Sequence, residues 1–171
     1  DASPMAVLTE KANQQHYEVP AEFYRYALGK NLKYSSCYYD SNTKSLDDAE
    51  DRALALTSEH AKLENGLDIL ELGCGWGSLS LWMTKHFPDS QITSISNSNS
   101  QREYILGQAR NRGYENLKVI TADINEFTTD STYDRVVSVE MFEHVRNHRE
   151  LFSRIHGWLK SGGKLFTHVF C

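Results

Sequence analysis

Glu140, Glu143 and His144 form a short cluster of side chains that could move a proton. They follow an apolar stretch, Tyr133–Val139, whose composition is typical of a buried strand. Carboxylates beside an imidazole orient its ring and favour its protonated form, so the cluster could act as an acid or a base. The same residue types also suit a helix start with an exposed histidine. The residues alone leave both interpretations open.

A second chemical cluster lies at residues 68–78, where an apolar run is followed at once by Gly73, Gly75 and Gly77. An amphipathic segment comes next and is typical of a helix. Strand, glycine turn and helix together open a nucleotide-binding βαβ unit. Glu71 stands just before the turn, where its charge would repel a phosphate and attract a cationic ligand. A tight turn without any ligand is the alternative interpretation.

Ser78 separates two classes of ligand, because a dinucleotide fingerprint requires glycine at this position. The pattern present, E-x-G-x-G-x-G, resembles motif I of the class I methyltransferases that bind S-adenosylmethionine. In that family the glycine turn lies under the methionine part of the cofactor, which carries a sulfonium and an ammonium. The resemblance implies S-adenosylmethionine as cofactor and S-adenosylhomocysteine as product, with no metal, and it argues against a NAD-dependent dehydrogenase.

Strand and helix patterns alternate along the chain, which predicts a parallel sheet with helices on both faces. The predicted strands cover residues 69–72, 91–96, 117–121, 133–139 and 164–170, with a turn at 161–163. The predicted helices cover residues 4–13, 21–28, 46–63, 78–87, 101–112 and 147–159. Ligands of such sheets bind at the carboxyl ends of the strands. Those ends carry Gly73, Ser96, Asn97, Asp123, Glu140 and His168.

Composition restricts the classes of function. A chain of 171 residues suits one hydrophobic core, and a net charge of −5 without a basic block does not suggest binding to nucleic acid. No apolar run reaches the length of a transmembrane helix, and no signal-peptide core is present at residues 1–10. The three cysteines lack metal-ligand spacing and favour a reducing, cytoplasmic location. Oligomeric state cannot be read from the sequence.

Four stretches carry a more specific resemblance: His16–Pro20, Tyr34–Tyr38, Leu72–Leu79 and Ser138–Val145. With G-C-G-W-G and M-F-E-H-V, the chain resembles the cyclopropane fatty acid synthase superfamily, and within it the coclaurine N-methyltransferase-like branch. The resemblance implies a Rossmann-like class I methyltransferase fold at residues 65–171, preceded by a helical cap segment at residues 1–64. This fold normally adds two strands after the fifth, so we expect a fragment, or a cover over the apolar fifth strand.

The resemblance implies cofactor contacts in addition to Glu71. They are Tyr34 and Ser35 closing over the methionine end, Gly73 and Gly75 along it, Ser96, Asn97 and Gln101 at the ribose, and Asp123 and Ile124 at the adenine. Without the resemblance, Asp123 would be read equally well as a turn residue.

Two positions distinguish the branches of this superfamily. Cyclopropane synthases carry a cysteine where this chain has Ser36, and Gly or Ala where it has Glu140; both departures resemble the N-methyltransferases. Glu143 and His168 match positions that bind bicarbonate in the synthases, so the synthase chemistry stays open as an alternative.

The main hypothesis is S-adenosylmethionine-dependent N-methylation of a small amine. Glu143 and His144 would be the acid/base pair, and Glu140 would orient or attract the protonated amine. The first alternative is methylene transfer to an unsaturated acyl chain of a phospholipid. A noncatalytic methyltransferase-like domain used for binding or assembly is the alternative from a different class.

Overall fold

The computed structural model describes residues 21–170. The predicted helix at residues 4–13 and the stretch His16–Pro20 lie outside the described residues. The elements in chain order are α1 (Ala21–Ala27), α2 (Leu46–His60), β1 (Asp68–Leu72), α3 (Ser78–His86), β2 (Gln91–Ser96), α4 (Asn99–Asn111), β3 (Leu117–Thr121), β4 (Tyr133–Val139), a 3-10 turn (Phe142–His144), α5 (His148–Trp158) and β5 (Leu159–His168).

The strands form one five-stranded sheet in the order β3-β2-β1-β4-β5, and every neighbouring pair is parallel. All carboxyl ends therefore lie at the same edge, as predicted from the alternation of strand and helix patterns. β1 and β4 are neighbours although β2 and β3 come between them in the chain, so the strand order reverses beside β1. A crevice at this reversal is the usual ligand site of such sheets.

Alternating residues of β1 pack against the helices on the two faces of the sheet. Leu70 and Leu72 belong to one buried cluster together with Ile155 of α5. Ile69 belongs to a second cluster, which includes Met83 of α3 and Leu54 of α2. Each fully buried side chain of this size stabilises the fold by about 1.5–3 kcal/mol. The alternation confirms the predicted packing of helices on both faces.

β5 corrects the prediction at the end of the chain. Residues 161–163 were expected to form a turn before a strand at 164–170, but the strand already begins at Leu159. Its pairing with β4 jumps from Tyr133↔Leu159 to Arg135↔Lys164, so the glycine pair forms an irregularity within the strand. A Cβ at Gly163 would lie 3.0 Å from the Tyr133 carbonyl oxygen. The glycines thus permit a close backbone approach, and pairing with β4 continues across them.

Two helix starts show how side chains define the ends of elements. Ser45 accepts a hydrogen bond from the Asp48 N–H at 3.1 Å and caps α2, which begins at Leu46 as predicted. Ser98 caps α4 in the same way, so this helix begins before the predicted residue 101. Within residues 21–170, no helix combines the length and the apolar character needed to cross a bilayer.

Candidate active site

A cavity of about 470 Å³ lies at the carboxyl edge of the sheet. The predicted catalytic and cofactor-binding residues all line it: Tyr34, Ser35, Glu71, Gly73, Gly75, Ser96, Asn97, Gln101, Asp123, Ile124, Glu140, Glu143 and His144. These residues come from five separate parts of the chain. The parallel strands bring them together, because each part follows a strand end or packs over one.

The glycine turn is held to the neighbouring strand by its own backbone. The N–H groups of Gly73 and Cys74 both donate to the Ile95 carbonyl oxygen, at 3.1 and 3.0 Å. Gly73 and Gly77 have φ angles of 80° and 83°, which glycine adopts without the steric cost that other residues meet. The turn therefore passes directly from β1 into α3 and leaves its backbone along the cavity.

Glu71 is a buried carboxylate at the floor of the cavity, with 3% of its surface exposed. Its Oε2 accepts hydrogen bonds from the Ser94 hydroxyl, at 2.7 Å, and from the Ser80 hydroxyl. Burial raises the pKa of Glu71, although both serine hydrogen bonds act in the opposite direction. A cationic ligand nearby would favour the ionised form of this carboxylate, as predicted for the acid before the glycine turn.

Gln101 provides the sharpest test of whether the cavity fits a polar ligand. Its side chain is 1% exposed, and its Oε1 accepts a hydrogen bond from the Ser96 hydroxyl at 2.8 Å. Its amide Nε2 is buried without a hydrogen-bond partner among the described residues. Buried polar groups are nearly always paired, so this donor in the cavity lining indicates a missing acceptor. The ribose hydroxyls of S-adenosylmethionine are acceptors of this kind.

Asp123 fits both interpretations that the sequence left open. Its Oδ1 accepts hydrogen bonds from the Asn125 N–H and from the Asn125 side-chain amide, both at 2.8 Å, which is the arrangement of a turn residue. It also lines the cavity beside Ile124, after the carboxyl end of β3. The turn therefore positions a carboxylate at the predicted adenine end.

Glu140 begins the acidic end of the cavity in an unusual backbone conformation. Its φ angle is 51°, in the left-handed region that costs a residue with a Cβ about 1–2 kcal/mol. The conformation is held by its N–H, which donates to the His168 carbonyl oxygen at 2.7 Å. Strain of this size is often found at functional sites, where surrounding contacts maintain it. His168 itself does not contribute to the cavity lining among the described residues.

Glu143 and His144 lie on the 3-10 turn after β4, and both are exposed. Glu143 Oε1 accepts a hydrogen bond from the Phe170 N–H. No hydrogen bond joins the His144 ring to Glu140 or Glu143 within residues 21–170. The two acids and the imidazole therefore share one rim of the cavity, and their predicted action as an acid/base pair stays a prediction.

Lys33 is a lining residue that the sequence did not indicate. It is 3% exposed, although the stretch in which it stands, residues 30–44, is largely polar. Tyr24 and Trp76 also line the cavity, and both are buried, with ring centroids 5.4 Å apart. Three other aromatic residues, Tyr38, Tyr39 and Phe142, do not line the cavity among the described residues. Within that same part of the chain, no cluster of His, Cys, Asp and Glu could hold a metal ion.

Residues 7–171 match the sequence profile of the mycolic acid cyclopropane synthetase family. The chain belongs to this family. The five-stranded parallel sheet is that of the class I methyltransferase fold that the sequence predicted, so both the family and the fold are confirmed.

One relative of the chain is (S)-coclaurine N-methyltransferase of Thalictrum flavum subsp. glaucum, with 38% sequence identity. The match covers 98% of this chain and 46% of the relative's length. A crystal structure of coclaurine N-methyltransferase, bound to N-methylheliamine and S-adenosylhomocysteine, matches with 38% identity and a TM-score of 0.94. It covers 98% of this chain and 48% of that one. The bound S-adenosylhomocysteine, which is the product of the cofactor, confirms the class of cofactor predicted for this fold.

The other branch of the family is also represented. Cyclopropane-fatty-acyl-phospholipid synthase of Escherichia coli (strain K12) is 28% identical over 91% of this chain and 40% of its own length. The chain thus spans about half the length, or less, of the curated relatives it matches.

Proposed function

We propose that this protein transfers a methyl group from S-adenosylmethionine to the nitrogen of a small amine. The hydrogen bonds between Ser36 and Glu140 carry the proposal. The Ser36 N–H and hydroxyl both donate to Glu140 Oε1, at 3.1 and 2.9 Å. Ser36 and Glu140 are the two positions at which the sequence departs from the synthase pattern. They are in direct contact, and Glu140 lines the cavity.

The contact between Ser36 and Glu140 suits an amine acceptor for an electrostatic reason. Both donors engage the same oxygen, so Oε2 of Glu140 remains for a ligand. A carboxylate oxygen binds an ammonium group by a charge-assisted hydrogen bond, whereas an alkene in an acyl chain gains nothing from it. Glu143 and His144 lie on the same rim, and this grouping of two acids and an imidazole supports a basic nitrogen and its proton as the ligand of this end.

The other lining residues would hold the cofactor. Glu71, Gly73 and Gly75 would contact its methionine part, Gln101 its ribose and Asp123 its adenine. S-adenosylmethionine, when bound, supplies a methyl group on a positively charged sulfur. The orphaned Gln101 amide and the buried Glu71 carboxylate support this placement, because one lacks an acceptor and the other lacks a cation.

Glu140, Glu143 and His144 would handle the acceptor. Glu140 would bind the amine in its protonated form and orient its nitrogen toward the cofactor end. The nitrogen must lose a proton to attack, and His144 with Glu143 would accept it. Positioning of nitrogen against methyl would supply most of the acceleration, because it replaces a bimolecular encounter by a fixed geometry.

A methylation assay tests the proposal with (S)-coclaurine as the first acceptor and unsaturated phospholipid vesicles as the second. We expect S-adenosylhomocysteine to bind in calorimetry and the amine to be methylated. His144→Asn should lower kcat by about 100-fold or more, whereas His156→Asn, an exposed histidine on α5, should leave it unchanged. Glu140→Gln should mainly raise the KM of the amine.

Each alternative predicts a different result in these assays. Transfer to the acyl chain without transfer to an amine would contradict the proposal and favour the cyclopropane chemistry. Binding of S-adenosylhomocysteine without any transfer would favour a noncatalytic binding domain. A cytoplasmic location belongs to the same proposal; the free thiols of Cys37 and Cys74 support it, and fractionation of the source cells would test it.

A further inference from the structure

Lys33 is a buried ammonium group that the roles above do not use. It lies between α1 and α2, at the start of the stretch 33–36 that leads to the acidic rim of the cavity. Burying a lysine is costly unless its donors find partners. Its position therefore needs an explanation from its contacts.

The Lys33 ammonium binds the loop that follows it. Its Nζ donates to the Ser35 hydroxyl and to the Ser36 carbonyl oxygen, both at 2.6 Å. Both short contacts are to residues of the stretch next to the cavity. One side chain thus fixes the backbone of Ser36 and the side chain of Ser35 together.

Glu50 fixes Lys33 from the opposite side. This carboxylate is fully buried in α2 and accepts hydrogen bonds from three backbone N–H groups, those of Gly29, Asn31 and Lys33, at 2.9, 2.7 and 3.1 Å. The loop before Lys33 is therefore anchored to a helix, and the ammonium extends from a rigid base.

Ser36 completes the connection to the acceptor site. Its N–H and hydroxyl hold Glu140 Oε1, so the orientation of the Glu140 carboxylate depends on where the Ser36 backbone lies. The Ser36 backbone is in turn held by Lys33 through its carbonyl oxygen. The contacts form one series from α2 to the end of β4.

We propose that Lys33 is a positioning residue, which fixes Ser36 so that Glu140 presents its second carboxylate oxygen to the amine. Its role rests on the proposed function for the identity of the acceptor, but the positioning of Glu140 can be measured without any substrate. Burial lowers the pKa of Lys33, while Cys37, Glu140 and Glu50 act in the opposite direction. Cys37 belongs to the same loop as Lys33, Glu140 directly follows β4, and Glu50 lies in α2.

The first test is nuclear magnetic resonance of the 171-residue chain, with Glu140→Gln to identify the signal of the contact. We expect this variant to shift the Ser36 amide proton, because its carboxylate acceptor becomes a neutral amide. Lys33→Met should shift the same proton, whereas the Gly29 and Asn31 amides, which bind Glu50, should keep their positions. An unmoved Ser36 amide in Lys33→Met would overturn the inference.

Lys30→Met is the matched control, because Lys30 stands on the same loop but pairs with Asp51 at an exposed position. This variant should leave the Ser36 amide unchanged. Ser36→Ala covers the case in which Lys33→Met does not fold, since it removes one donor to Glu140 and keeps the lysine in place. Ser36→Ala should raise the KM of the amine, as Lys33→Met should.

The second test is the kinetic effect on the amine used in the methylation assay. Lys33→Met should raise the KM of the amine by about tenfold, the effect of one lost hydrogen bond to a charged group, and change kcat less. The double variant Lys33→Met with Ser36→Ala should raise the KM of the amine by less than the two single effects combined. Both substitutions act through the same contact between Ser36 and Glu140.

The two proposals fail in different ways. A shifted Ser36 amide in a chain that methylates no amine would refute the proposed function and retain the positioning role. An active chain whose amine KM is unchanged in Lys33→Met would refute the positioning role and retain the function.

Discussion

Glu71 shows at the residue scale how a binding site can oppose stability. Its carboxylate is buried among two serine hydroxyls at the cavity floor, and burial raises its pKa. A group with a raised acid pKa takes up a proton more readily in the folded state than in the unfolded state. The folded protein therefore loses stability as this carboxylate ionises. We interpret this cost as the price of a negative charge that a cationic cofactor can neutralise.

Glu71→Gln should remove this cost. In the unmodified protein, the Glu71 contribution to the free energy of unfolding should fall as pH rises from about 4.5, its ordinary value, through its raised pKa. The glutamine variant should lack this decrease, because its amide oxygen still accepts from Ser80 and Ser94 but does not ionise. Urea unfolding at a series of pH values measures the difference.

Two comparisons complete the test of Glu71. Glu64→Gln, an exposed glutamate, should retain the pH dependence of the unmodified protein. Glu71→Gln should also bind S-adenosylhomocysteine and S-adenosylmethionine differently, with the larger loss for the positively charged cofactor. An unchanged pH dependence in Glu71→Gln would show that another group causes it.

At the scale of elements, the passage from β1 to α3 depends on close packing as well as on backbone conformation. Gly77 is the residue before α3 and has a φ angle of 83°. A Cβ at this position would lie 2.6 Å from Cγ1 of Ile105 in α4, which is fully buried. The glycine thus permits both the turn and the approach of two helices.

Gly77→Ala should destabilise the fold more than Gly66→Ala. Gly66 has a similar φ angle of 85°, but a Cβ there would meet nothing within 4 Å. Both variants should lose about 1–2 kcal/mol from the left-handed backbone, and Gly77→Ala should lose about 1–3 kcal/mol more from overpacking. Chemical unfolding of both variants measures the difference, and equal losses would show that packing against Ile105 is easily relieved.

At the scale of the whole molecule, the two edges of the sheet have different roles. The cavity lies at the carboxyl edge, whereas the amino edge carries an ion cluster in which Lys160 pairs with Asp68 and Asp134 at 2.7 and 2.8 Å. The hydrogen bond from Lys160 is the main reason that the pKa of Asp134 is lowered. Stability from this pair is therefore present above the ordinary pKa of 3.8 and lost as pH falls through the lowered value.

Changes at the two edges should separate stability from binding. Lys160→Met should lower stability only slightly, because ion pairs in contact with solvent contribute little, and leave the affinity for S-adenosylhomocysteine unchanged. Gln101→Leu should weaken that affinity by about tenfold or more, the value of a lost hydrogen bond to the ligand. Its cost in stability should be limited to the lost hydrogen bond from the Ser96 hydroxyl, because the amide donor is already unpaired. Calorimetry measures the affinity of both variants for S-adenosylhomocysteine, and urea unfolding measures their stability. A loss of affinity in Lys160→Met would show that the two edges of the sheet do not act separately.

Much of the site was determined by local sequence. The apolar run, the three glycines and the following amphipathic segment predict a strand, a turn and a helix, because each pattern acts through neighbouring residues. Alternation of such units predicts a parallel sheet, and the chemistry of a parallel sheet lies at its carboxyl edge. Gly73, Asn97, Asp123 and Glu140 could therefore be assigned to one crevice from the sequence, whereas Gln101 was predicted only from the family resemblance.

Tertiary structure alone decided the contacts between distant segments. Ser36 and Glu140 are 104 residues apart, and no local pattern relates them. Lys33 stands in a polar stretch that favours solvent exposure, yet packing of its loop on α2 buries it. The strand at Leu159 continues across a glycine pair because β4 supplies its partner, although glycines by themselves predict a turn. Local patterns encode period and turn chemistry, whereas burial and pairing depend on which surfaces meet when the whole chain has folded.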